Sequence, residues 1–186
     1  MAIPTWARSP QHWAEILGWH VVPLALGAGL ALGVVARAWM RLITTDPEFS
    51  LGGTLGIVIG FAFFALMQSI AALATQRPWR DWPRRGARLL GAIGMLPLML
   101  AAGALMAPTF VLGGAALWHP RWPGLLRWML GLLALLNTGA VSANIARDHG
   151  ASLVTVLGIG GLLLIYACIT WGAAGTFMPL REEKLQ

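Results

Sequence analysis

The sequence predicts an all-α fold: a polytopic transmembrane helical bundle of about five spans, with one further short element that is interfacial or re-entrant. Three observations carry this expectation. Of the 186 residues, 58% are hydrophobic and only 11% are charged, against about 25% charged in a soluble domain. The mean hydropathy is +0.71. The apolar residues also fall in runs of about 20, the length that crosses a hydrocarbon core of about 30 Å. Scarcely an ionisable residue lies deep inside any of these runs. Backbone groups in hydrocarbon have no water to bond, so a crossing segment is a helix or part of a closed barrel. Barrel strands alternate in polarity; these runs are apolar at consecutive positions, which selects helices.

The N-terminal segment to about Leu17 carries Trp6, Arg8, His12, Trp13 and Glu15, a polar and aromatic mixture suited to a short helix at headgroup level. Its apolar run starts too late and continues too long for a cleaved signal peptide. A first span covers about 18–38 and stops at Arg37 and Arg41. Pro47 in the following turn disfavours helix at the residue before it, and Ser50 is placed to cap the next helix. The second span covers about 51–74. Gly52, Gly56 and Gly60 recur along one of its faces, a small-residue groove that admits a close neighbour. A connection with five arginines (Arg77, Arg80, Arg84, Arg85 and Arg88) follows.

The next apolar run, 89–118, would reach roughly 45 Å as one helix, too long for a simple crossing. Pro97 and Pro108 divide it into a third span at about 89–106 and a short element at 108–117. A turn through His119 and Pro123 leads to a fourth span at about 125–145. Arg147 to Gly150 form a hairpin, and a fifth span runs over about 152–174. The whole chain reads as one membrane domain.

All ten tryptophans lie near span ends or in connections, where indole favours the interface; Trp19, Trp39, Trp118, Trp122, Trp128 and Trp171 mark the expected aromatic belts. The arginine-rich connection should face the cytoplasm. Threading five crossings from it puts the N-terminus and the Arg147 hairpin inside and the C-terminus outside. Lys and Arg then divide almost evenly between the faces, about seven to six with Arg37 and Arg127 counted; those two may be discounted as snorkelling from helix ends.

With no charge at mid-membrane, the ordinary apparatus of proton relays and ion-coupled pumps is missing. Amides and hydroxyls remain. In that orientation Gln68, Asn137, Asn144, Thr155 and His20 all fall toward the cytoplasmic side, with Asn137 and Asn144 on one helical face. They either form interhelical hydrogen bonds, the commoner role of such residues, or line a polar pocket. On the outer side Arg37 and Arg41 lie one turn apart, a spacing suited to clamping a phosphate or carboxylate. Asp46 and Glu48 offer them equally good local partners. Thr109, His119 and Arg121 stand near the short element, but their spacing specifies no chemistry.

No histidine is mid-helix, so no cofactor is expected and haem in particular lacks matched ligands. Cys168 stands alone in an apolar run, which excludes a disulfide framework or thiolate metal site within one chain. Paired carboxylates, zinc motifs, a nucleophile elbow and a P-loop are all missing. No basic tract interleaved with aromatics suggests a nucleic acid partner.

The segment Arg37-Ala38-Trp39-Met40-Arg41-Leu42-Ile43, followed by Pro47-Glu48-Phe49-Ser50 and Gly53-Thr54-Leu55, resembles small bacterial multipass membrane proteins of unknown function over about the first 60 residues. The resemblance implies a bacterial cytoplasmic membrane and no particular activity. The leading expectation is a non-enzymatic accessory or assembly subunit, packing against lipid, partner helices or a second copy. A small transporter or channel using the fourth span comes next, and a lipid-acting enzyme third.

Overall fold

A computed structural model describes residues 10–44, 50–76, 84–102, 107–119 and 122–177. Among these residues no strand occurs. The helices are α1 (Pro10–Leu17), α2 (Val21–Ile43), α3 (Leu51–Gln76), α4 (Arg84–Ala102), α5 (Ala107–Trp118), α6 (Gly124–His149), α7 (Leu153–Gly172) and α8 (Ala174–Phe177). Four stretches are long and apolar enough to cross a membrane: Trp13–Ile43, Leu51–Ala74, Gly124–His149 and Leu153–Gly172. The chain is an all-α membrane protein.

Gly18 has φ 54°, a backbone region that costs a residue with a Cβ. It separates α1 from α2, so α1 lays Ala14 against Ala72 and Leu73 near the end of α3. The antiparallel pair α2–α3 packs at backbone distance. A Cβ on Gly29 would stand 2.7 Å from the Phe61 carbonyl oxygen, and one on Gly33 would stand 2.8 Å from Val58 Cα. The close approach therefore uses the glycines of α2. Of the expected groove on α3, only Gly60 faces another helix, at Pro97, while a Cβ on Gly56 would meet open space. Ser50 caps α3 as its position suggested, accepting from the Gly53 amide at 3.1 Å.

Antiparallel register continues from α3 to α4. Pro97 lies beside Gly60, Gly94 beside Met67, and Gly91 beside Gln68 and Thr176. Gln68 donates to the Gly91 carbonyl (3.0 Å) and to the Thr176 hydroxyl (2.9 Å), binding α3, α4 and α8 at one end of the bundle. The α3–α4 connection leaves the bundle at this end, called the basic end below.

The 12 residues of α5 extend about 18 Å. Its first turn meets the middle of α6, where Asn137 donates to the Thr109 hydroxyl at 2.7 Å. Its last turn reaches the basic end, where Arg127 of α6 donates to the Ala116 carbonyl at 2.9 Å. Helix α4 thus enters from the basic end and α5 returns to it, occupying only half the depth. The short element is re-entrant in its path, and α4 with α5 makes no net crossing.

The opposite end, called the turn end, holds the α2–α3 connection and the α6–α7 turn. His149 Nε2 lies 2.7 Å from the Ile43 carbonyl oxygen; a carbonyl can only accept, so this nitrogen carries the hydrogen. Trp39 donates from its indole to the Gly158 carbonyl at 2.6 Å, and Gly158 would meet Ile43 if it carried a Cβ. These contacts correct the five-crossing thread: the Arg147 hairpin lies at the end opposite the arginine-rich connection. They also correct Trp39, which is buried, 7% exposed, rather than part of a belt.

Gln76 and Arg84, the helix ends joined by the arginine-rich segment 77–83, lie at the basic end, as do Arg88 and Arg127 toward their helix ends. Arg41 and Arg147 lie at the turn end. Among the described residues, Trp13, Trp19, Trp118, Trp122, Trp128 and Trp171 lie toward the basic end and Trp39 toward the turn end. Between the ends, Leu98, Phe110, Leu162 and Ile169 form the most deeply buried core.

Candidate functional site

The residues singled out from the sequence do not meet in one place. Gln68 is buried and holds α3, α4 and α8 together. His20 is exposed at the basic end, and Asn144 is exposed toward the turn end. Thr155, also at the turn end, donates to the Gly150 carbonyl and receives the cap of Ser152, whose side chain accepts from the Thr155 amide. A shared pocket of Gln68, Asn137, Asn144, Thr155 and His20 is therefore excluded by their separation along the bundle axis. Arg37 donates from Nε to the Thr54 hydroxyl at 3.0 Å, binding α2 to the first turn of α3. Arg41 is exposed one turn further on. Asp46 and Glu48, their expected partners, lie outside the described residues, as does Arg121.

Of the polar residues singled out from the sequence, Thr109 lines a cavity, and Asn137 stands behind it as a hydrogen-bond donor. A groove of about 610 Å³ lies between α5, α6 and α7, within the range usual for small-molecule sites. Its walls are apolar and include Gly113, Ala116, Leu117, Gly131, Leu135, Leu163 and Ala167. Small residues on α5 and α6 leave the space: a Cβ on Gly131 would touch only Ala116, at 4.0 Å. Polar groups are few. Thr109, Thr138, Tyr166 and Thr170 line the groove, and Arg127 with Trp128 stands at its mouth at the basic end.

Two of those polar groups are already engaged. Thr138 donates to the Ala134 carbonyl of its own helix at 2.9 Å. Thr109 accepts from Asn137 and donates weakly to the Ala134 carbonyl at 3.4 Å. Tyr166 differs. Its ring packs edge-on to Phe110, with centroids 5.2 Å apart at 87°. The residue is only 4% exposed, and its hydroxyl, beside Thr109, has no hydrogen-bond partner of good geometry among the described residues. A buried hydroxyl left this way costs about 1–3 kcal/mol. A buried polar group without a well-made bond calls for an explanation, and this one belongs to a residue on the wall of the groove.

At the mouth, Arg127 spends one donor on Ala116, and among the described residues that carbonyl is the partner its guanidinium has. Trp128 beside it is 80% exposed, and the Trp118 indole donates to the Thr170 carbonyl at 2.9 Å. Indoles at this level place the mouth at interface depth. The connection to α6 is closed by the Trp122 amide donating to the His119 carbonyl at 3.3 Å, with the two rings stacked 4.5 Å apart.

Tyr166 and Arg127 were not found among the sequence candidates. The available signals were slight: Tyr166 is the only tyrosine in the chain and its hydroxyl falls inside an apolar span, whereas Arg127 read as a snorkelling helix end. Comparison with protein-family models, with curated proteins and with solved structures finds no match.

Proposed function

We propose that this protein is a non-enzymatic membrane component that binds a membrane-resident amphiphile in the groove between α5, α6 and α7. The Tyr166 hydroxyl carries the reading, since a lone donor on an apolar floor is satisfied by a ligand with an accepting oxygen. The groove's apolar walls suit a hydrocarbon body, and its mouth lies where headgroups lie. Extraction in native lipids, followed by mass spectrometry of retained molecules, tests it. Retention of an amphiphile by the native protein and its loss from Tyr166→Phe are expected; a native protein that retains nothing refutes the reading.

A role as an accessory subunit is supported by a second observation. Little of α6 is covered, and Leu125, Leu132 and Leu136 project from it toward lipid or a partner. A second copy or another membrane subunit would seat there. The protein running as a monomer in native-lipid particles, with no copurifying chain, removes this reading and leaves the first intact.

The location proposed is a bacterial cytoplasmic membrane with the basic end inward and both termini in the cytoplasm. The arginine-rich segment that joins α3 to α4 between helix ends at the basic end supports that orientation.

A further inference from the structure

We infer that the groove selects its occupant by headgroup charge: it takes a lipid with an anionic phosphate head, held by Arg127, with a chain along the groove. This rests on the amphiphile reading above. Arg127 lies three residues into α6, and its Nε donates to the Ala116 carbonyl. That bond holds the guanidinium at the mouth through Nε and leaves the end-on pair of N–H groups on its two terminal nitrogens to bind a ligand. A planar fork held in this way matches two oxygens of a phosphate.

Depth and shape agree with charge. Trp118, Trp128 and Trp171 lie at the same end as Arg127, so the cation stands at headgroup level rather than in hydrocarbon. From Arg127 to Thr138 the groove descends about 16 Å along α6, past Gly131, Leu135 and Leu163. This passage is apolar enough for an acyl chain. A free phosphate ion would satisfy Arg127 but leave the apolar passage empty. The occupant is therefore a lipid, and the Arg127 cation at the mouth favours an anionic one.

The full chain is reconstituted in bilayers of equal phosphatidylglycerol and phosphatidylcholine, and tightly held lipid is counted by native mass spectrometry. Wild type should retain phosphatidylglycerol at least tenfold over phosphatidylcholine. Arg127→Gln should retain lipid without that preference, and Arg127→Lys, which keeps the charge, should recover part of it. Arg147→Gln, which removes an exposed cation at the opposite end of the bundle, should keep the preference. Equal retention by wild type, or a preference that survives Arg127→Gln, overturns the headgroup assignment while leaving the amphiphile reading standing. Displacement of the lipid by millimolar inorganic phosphate also overturns it. No retained lipid in any variant overturns both.

Discussion

A buried phenol without a well-made hydrogen bond makes opposite demands on the empty and the filled groove. In lipid-stripped detergent the Tyr166 hydroxyl is a buried orphan, so Tyr166→Phe should hold or raise the thermal midpoint, by the equivalent of about 1–3 kcal/mol at most. In native lipids the same substitution removes a ligand contact, and the midpoint should fall below wild type. Thermal unfolding in the two media checks the change of sign; a loss of stability in both makes Tyr166 a packing residue only. The two asparagines of α6 should separate likewise. Asn137→Leu breaks the 2.7 Å bond to Thr109 and should cost about 0.6 kcal/mol, while the exposed Asn144→Leu should be silent in the same assay. At this scale the sequence shows which spans carry polar atoms. Helical period assigns Asn137 and Asn144 to one face, but it says nothing of which neighbour that face meets. Hence Asn144 shares a face with Asn137 but stays exposed, while Tyr166 is buried beside Thr109.

Among the elements, glycine spacing was legible and its use was not. Both α2 and α3 repeat glycine every fourth residue, at Gly29 and Gly33 and at Gly52, Gly56 and Gly60. Only the register of the pair decides which repeat is the contact. Gly33→Ala forces a methyl group toward Val58 Cα, a backbone atom that cannot swing aside, and should destabilise by about 1–3 kcal/mol. Gly56→Ala meets open space and should be neutral or stabilise by up to about 1 kcal/mol through helix propensity. Thermal unfolding in detergent distinguishes them, and equal effects would mean that the α2–α3 register is wrong. The boundary between α4 and α5 was legible from Pro97, Pro108 and run length. The direction of α5 was not, because an apolar run of 12 residues looks alike whether it continues outward or turns back.

Taken whole, the first and last described residues, Pro10 and Phe177, lie at one end of the bundle, and that topology is open to a direct test. Single cysteines replace Thr44, Ala151, His20 and Trp122 in a Cys168→Ala background, all four at exposed positions. Thr44 and Ala151 should label from one side of the membrane, His20 and Trp122 from the other. A five-crossing thread instead groups Ala151 with His20, and that pattern would refute the re-entrant α4–α5 pair. The fold class follows from composition and run length alone, since lipid permits few ways to satisfy a backbone. Sidedness does not follow so simply. It depends on the parity of crossings, and one misread half-helix exchanges the faces of everything after it. The hydrogen bonds from His149 to Ile43 and from Trp39 to Gly158 join residues 106 and 119 positions apart. During synthesis the first span therefore sits in the bilayer with its flank uncovered until the last one emerges. Whatever shields that flank in the interval, be it lipid or the insertion machinery, must give way when the C-terminal hairpin arrives.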